Sequence, residues 1–244
     1  MNKTVSFKKT AALLTAIAML TALFASFGVT TANAATVDVS LYSSEVYFCK
    51  YGITTRNVYV KTDSVSSNQD VTVHYHYLDG EWRDSEATYF TTLSDGSKIW
   101  KATISSYRME YAIKYTANGN EYWDNNNGQN YTNENIGVAP ITVNRGRPFY
   151  GGFNDLVSVS LQNYAYEKEV AVRFTTDSWN TYTDVPMNYE STNDNGTEVW
   201  TTYINTYTND LSGFEFCVYY TVNGQTYWAN NFNQNYDASY RVYP

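Results

Sequence analysis

From residue 37 onward, apolar and polar residues trade places at every second position in short runs. Examples are Val71-x-Val73-x-Tyr75, Trp100-x-Ala102-x-Ile104 and Tyr111-x-Ile113-x-Tyr115. A period of two sends successive side chains to opposite faces of an extended backbone, so each run predicts a half-buried strand. Clusters of Asn, Gly, Asp and Ser separate the runs. Asn118-Gly119 and Asn223-Gly224 have the composition of two-residue hairpin turns. Six or seven such strands in each half predict antiparallel sandwiches. Trp100, Ala102 and Ile104 fall on one apolar face and Trp200 with Ile204 repeats the placement, so both tryptophans are expected in the core. Tyr111, Ile113 and Tyr115, and likewise Phe216, Val218 and Tyr220, should face inward. That leaves Ala112, Lys114, Cys217 and Tyr219 on the opposite face.

The pattern occurs twice. Val71-x-Val73-x-Tyr75 matches Val170-x-Val172-x-Phe174, Lys98-Ile99-Trp100 matches Glu198-Val199-Trp200, and Tyr122–Tyr131 recurs as Tyr227–Tyr236 at a spacing of 105. Solenoid and propeller repeats run ~20 to 50 residues, so a period this long predicts two whole domains. Val37-x-Val39 and Ile141-x-Val143 read as matching first strands, which places the boundary near Gly137–Ala139. The expected fold is all-β: two tandem immunoglobulin-like antiparallel β-sandwich domains, 35–138 and 139–244, behind a leader at 1–34. Within that leader Lys3, Lys8 and Lys9 precede the apolar run Ala11–Val29, which Thr15, Thr21 and Ser26 interrupt, and Ala32-Asn33-Ala34 is a small-x-small cleavage pattern. Cleavage after Ala34 and secretion are expected.

Losing the leader's three lysines takes the formal charge from −8 to −11 and leaves 210 residues. So acidic a chain is a poor partner for nucleic acid or anionic lipid. Cys49 and Cys217 fall one in each half, so no disulfide framework can staple either domain, and their role stays open. Each domain must be held together by burial alone.

The candidate chemistry lies in the recurring stretch. Tyr122-Trp123-Asp124-Asn125-Asn126-Asn127-Gly128-Gln129-Asn130-Tyr131 joins a broad apolar ring to uncharged carboxamides that both donate and accept hydrogen bonds. Such a surface suits a neutral sugar, whose axial C–H face lies on an aromatic ring while its vicinal hydroxyls need paired donors and acceptors. The stretch resembles the signature of the family 21 carbohydrate-binding modules, the starch- and glycogen-binding domains of some amylolytic enzymes and of glycogen-targeting phosphatase subunits. The second copy departs from it, with Ala229 for Asp124, Phe232 for Asn127 and Asn233 for Gly128. Trp82 and Trp179 sit in polar, turn-rich segments, Asp79–Asp84 and Asp177–Thr181. The resemblance implies that Trp82 pairs with Trp123, and Trp179 with Trp228, as the two aromatics of each glucan site. Asn125, Asn126 and Asn130, with Asn230, Asn231 and Asn235, would then bind glucan hydroxyls, and the resemblance adds Asp124, Tyr131 and Tyr236 to the carbohydrate-binding residues. For single asparagines, capping of their own turn is the competing use. Some members carry a second site, for which Tyr166 and Tyr189 are the matching residues, with Ser66-Ser67 in place of Tyr166 in the first copy.

Catalysis and metal binding find no support, and no cofactor is expected. The two histidines, His74 and His76, alternate on one strand and align with Arg173 and Thr175, which reads as a solvated strand face. No repeated carboxylate pair lies in an apolar setting of the kind a glycosidase needs, and the Asp-Asn-Asn run lacks the spacing of a calcium loop. A phosphatase-docking pattern, Lys3-Thr4-Val5-Ser6-Phe7, falls inside the leader. The reading is a secreted, monomeric, non-enzymatic binder of α-1,4-glucans. The alternatives are an extracellular adhesion protein, or an accessory module working beside secreted amylases. A short connector at 137–140 should let both sites act on one polymer.

Overall fold

A computed structural model describes residues 38–63, 68–132, 136–146, 155–207 and 210–239. The proposed leader with its cleavage site, and Ser66 and Ser67, lie outside these residues. Among the described residues there is no helix. The first eight strands are β1 (Val39–Lys50), β2 (Ile53–Thr62), β3 (Gln69–His76), β4 (Trp82–Glu86), β5 (Thr88–Thr92), β6 (Lys98–Ser106), β7 (Tyr111–Ala117) and β8 (Asn120–Asp124). Nine more follow: β9 (Ile141–Gly146), β10 (Asp155–Leu161), β11 (Lys168–Thr175), β12 (Thr183–Pro186), β13 (Asn188–Thr192), β14 (Glu198–Ile204), β15 (Glu215–Val222), β16 (Gln225–Ala229) and β17 (Tyr236–Asp237). All pair antiparallel. Sheets β1-β2-β6-β5 and β4-β3-β7-β8 form one sandwich, and β9-β10-β14-β13 and β12-β11-β15-β16 repeat the same order in the other. Asn118 and Gly119 (φ 53° and 79°), like Asn223 and Gly224 (51° and 76°), take the left-handed conformation that a twist-matched two-residue hairpin requires.

The alternation buries what it predicts. Val58, Val60, Val71, Val73, Ile104, Ile113 and Tyr115 fill the first core, and Val157, Val159, Val172, Ile204, Phe216, Val218 and Tyr220 the second. Each such side chain contributes ~1.5–3 kcal/mol by leaving water. Trp100 and Trp200 pack against these cores only part-buried, with their indole N–H groups donated to Thr62 Oγ1 (3.0 Å) and Glu198 Oε2 (2.9 Å). One expectation needs correcting. Ala112 and Cys217, on the outward positions of β7 and β15, are buried, because His74 and Arg173 stand directly across the ladder from them and carry aromatic rings over that face. Burial pushes the Cys217 thiol up to about 11. Cys49 is exposed, and both thiols are free.

Val37–Pro244 is one compact unit, and two features join its sandwiches. The connector is laced to β1 by bonds from Gly137 and Ala139 N–H to the Tyr42 carbonyl and from Val138 N–H to that of Leu41. A Cβ on Gly137 would lie 1.9 Å from the Leu41 carbonyl oxygen, so only glycine permits this approach. From the other side, Gln162 Nε2 donates to the Gly137 carbonyl. The second joint is aromatic: the Phe232 ring sits 5.1 Å from both Tyr59 and Phe90 and 5.8 Å from Tyr42. Tyr59 points outward from β2 yet is only 5% exposed. Its hydroxyl donates to Glu45 Oε1 (2.8 Å), and burial, then the Glu45 charge, pushes its pKa far above the usual phenol value.

Candidate functional site

On the outer face of β4-β3-β7-β8, the His74 ring stacks on Trp82 (centroids 4.8 Å, 11°) and meets Trp123 edge-on (5.8 Å, 85°). His74 thus joins the two tryptophans that the family resemblance implies. Its Nδ1 lies 2.6 Å from Asp84 Oδ1, and Asp84 Oδ2 accepts from Lys114 Nζ (3.2 Å). The His74 hydrogen bond leads in holding the Asp84 carboxyl below its ordinary value. His76 abuts the edge of Trp82 (4.8 Å). Trp82 and Trp123 are 39% and 47% exposed, which is costly for rings this size and leaves an apolar platform open to solvent. His74 escaped sequence reasoning because the solvated-face reading of β3 did not register that both tryptophans share that face. Trp82 itself stands on β4, paired with His76, and not in a loop.

The second sandwich rebuilds the platform with other residues. The Arg173 guanidinium lies 4.1 Å from the Tyr182 ring, 5.5 Å from Trp228 and 5.6 Å from Tyr219, and is clamped by both oxygens of Asp184 at 2.7 and 2.8 Å. The Tyr219 and Trp228 rings are 5.4 Å apart. Since His74 pairs with Asp84 and Arg173 with Asp184, the counterpart of Trp82 is Tyr182, exposed and missed from the sequence, where Tyr182-Thr183-Asp184 against Trp82-Arg83-Asp84 was the available signal. Trp179 has no such counterpart. It lies in the loop after β11 at φ 66°, its indole N–H donated to Glu215 Oε2 (2.6 Å), and its ring does not touch Trp228.

The carboxamides largely build their own loops. Asn126 Nδ2 donates to the Asn130 carbonyl (3.1 Å) and Asn231 Nδ2 to that of Asn235 (3.1 Å). Asn130 Nδ2 reaches Glu110 Oε1 (3.0 Å) and Asn235 Nδ2 reaches Glu215 Oε2 (2.9 Å). The side-chain oxygens of Asn125 and Asn230 accept the N–H of Gly128 and Asn233. Asp124 Oδ2 accepts from Leu41 N–H (2.9 Å) and the Tyr131 hydroxyl (2.7 Å), tying the loop to β1. Tyr131 stacks on Tyr111, and Tyr236, 7% exposed, on Phe216. The capping use, weighed above, therefore occupies most of these groups, while Asn125 keeps an exposed side chain.

Each loop also faces the opposite sandwich. A cleft of about 560 Å³ runs between Asn126, Gln129 and Thr132 and the β13–β14 turn at Asn193–Asn195. Another, of about 500 Å³, runs between Trp228, Asn230 and Asn233 and the β5–β6 edge at Thr91–Asp95. Tyr166 (92% exposed) precedes β11 and Tyr189 stands on β13. Tyr189 has a counterpart in the first sandwich: Tyr89 likewise bonds the hydroxyl three residues on and sits edge-on to the tryptophan of the next strand.

Residues 156–239 match the sequence profile of the carbohydrate/starch-binding module (family 21), a span that excludes β1–β9. The chain is 39% identical over 88 residues to human protein phosphatase 1 regulatory subunit 3B, covering 32% of this chain and 29% of that protein. Against the Drosophila melanogaster glycogen-binding subunit 76A it is 32% identical over 83 residues, 32% of this chain and 12% of that one. It thus spans less than a third of the length of these curated relatives. Among solved structures, the starch-binding domain of Rhizopus oryzae glucoamylase in complex with β-cyclodextrin and maltoheptaose is matched at 24% identity and a TM-score of 0.31, over 37% of this chain and 92% of that one. The carbohydrate-binding module of the muscle glycogen-targeting subunit of protein phosphatase-1 is matched at 25% and 0.34, over 41% and 76%.

Proposed function

We propose that this chain is a secreted, non-catalytic binder of α-1,4-glucans, with one site on the outer face of each sandwich. The observation that carries the reading is the open aromatic platform at equivalent places, Trp82–His74–Trp123 and Tyr182–Arg173–Trp228, each beside a carboxamide loop. The family 21 match over 156–239 narrows a neutral polysaccharide to starch or glycogen for the second site, and the first site follows by equivalence. Export with cleavage after Ala34 and a monomeric state complete the proposal. An aromatic face and a few neutral hydrogen bonds leave modest affinity after ordering costs, with dissociation constants of ~10 µM to 1 mM. Affinity electrophoresis of the purified protein in amylopectin, against a mannan control, tests it. Retardation in amylopectin alone is expected, without release of reducing sugar from soluble starch; equal mobility in both gels rejects the reading.

A further inference from the structure

The two clefts between the sandwiches are matched in position and different in chemistry. In the one beside the first loop, the walls are carboxamides, hydroxyls, Asp194 and the aliphatic Ile136 and Val199, with no aromatic ring among the described residues. Beside the second loop the lining includes Trp228, Asn230 and Asn233 from one sandwich and Lys61, Thr92 and Ser94 from the other. Its volume of about 500 Å³ falls within the ~300–1,000 Å³ of small-ligand sites. Lys61 is paired with Asp95 at 2.9 Å, so the first-sandwich wall presents hydroxyls and a neutralised pair, a lining suited to an uncharged polyol. Phe232, lodged against Tyr42, Tyr59 and Phe90 at the floor, fixes the separation of the walls before any ligand arrives, which lowers the ordering cost of binding.

We infer that the site on the second sandwich is composite: a glucan resting on Trp228 continues into this cleft, and its next residues bind the β5–β6 edge of the first sandwich through Lys61, Thr92 and Ser94. The inference rests on the glucan-binding reading and adds that the first sandwich supplies part of the second site. It is specific to this side of the molecule, because among the described residues the matching cleft has no ring on which a sugar face can start.

The test uses the full chain carrying Trp82→Ala and Trp123→Ala, which silences the first platform, with calorimetry on maltotriose and maltoheptaose. Adding Thr92→Arg and Ser94→Arg, on exposed positions of the β5–β6 edge, should weaken maltoheptaose about fivefold, the effect of one or two lost hydrogen bonds, and leave maltotriose within about twofold. Lys61→Ala, which removes a contact without adding bulk, should act in the same direction. If maltoheptaose affinity is unchanged in both variants while Trp228→Ala abolishes it, the site belongs to the second sandwich alone and the inference is wrong, with glucan binding intact. If the parent binds neither sugar, glucan binding at the second platform and the inference fall together.

Discussion

The two signature loops share a backbone and differ in what they touch. Asn126, Asn127, Gly128 and Asn130 have φ of 51°, 57°, 88° and 57°; Asn231, Phe232, Asn233 and Asn235 have 49°, 55°, 71° and 57°. Asparagine and glycine tolerate the left-handed region, whereas a phenylalanine there is strained by ~1–3 kcal/mol. What offsets that strain is the socket of Tyr42, Tyr59 and Phe90. Among the described residues the socket exists on one sandwich only: the ladder register makes Ser158 the counterpart of Tyr59 and Glu190 that of Phe90. Ala229 departs for a related reason. Asp124 spends its carboxylate on β1, while Ala229 is buried in the second core. A departure from the motif that looks like decay in the sequence is here a change of neighbour.

The largest expected effect removes the plug. Phe232→Ala should destabilise the full chain by ~2 kcal/mol, below the ~3–5 kcal/mol of a core phenylalanine because the ring is only part-buried. Asn127→Ala, at the same place in the other loop, should cost under ~1 kcal/mol. Calorimetric unfolding of both variants measures this, and equal shifts would break the comparison. Next comes binding. Trp123→Ala and Trp228→Ala should each weaken glucan binding by their own sandwich about tenfold or more, ~1.4 kcal/mol, with melting temperatures close to the parent. A large melting shift from either would mean that the ring is structural.

The strands, hairpins and inward residues were legible in the sequence because a period of two and an Asn-Gly turn are local signals. Trp123 and Trp228 were legible because a ring at the end of a polar strand has nowhere obvious to hide. His74, Tyr182 and Arg173 were not, since their roles arise from cross-strand register, which fixes which side chains meet but leaves no mark within any one strand. Trp179 was matched to Trp82 because their segments look alike in sequence, whereas the ladder register puts Tyr182 at the place of Trp82. Phe232 was visible as a departure from the motif, but its socket is drawn from β1, β2 and β5, far away in the chain.

The central groups of the two platforms give a smaller effect. His74→Ala frees one face of Trp82 and one edge of Trp123, and should weaken binding by the first sandwich about three- to fivefold, as the rings lose their fixed spacing. Arg173→Lys keeps the charge but loses the two-pronged contact with Asp184 and the flat stack on Tyr182, with a similar loss at the second. Calorimetry with the opposite platform silenced separates the two contributions. A variant that binds like the parent would show that its central group only covers Ala112 or Cys217.

The smallest effect is a titration that one sandwich should show and the other lack. In the β5–β6 turn, Asp95 Oδ1 accepts the Ser97 N–H and hydroxyl, and Oδ2 accepts from Lys61 Nζ. The matching turn makes the same cap with a group that does not titrate: Asn195 Oδ1 accepts the Thr197 N–H (3.1 Å) and hydroxyl (2.7 Å). The Ser97 hydroxyl bond leads in holding the Asp95 carboxyl at about 2, from an ordinary 3.8. A carboxyl depressed by folding contributes stability that is fully present above its unfolded value and is lost as pH falls through its folded one. The first turn should therefore loosen between about pH 4 and pH 2, the second should not, and Asp95→Asn should abolish the difference. Amide chemical shifts followed by NMR across that range read it directly: Ser97 should move with a midpoint near 2 while Thr197 stays flat. Should Thr197 move in step with Ser97, acid is unfolding both sandwiches together and the carboxylate in the first turn has no separate role.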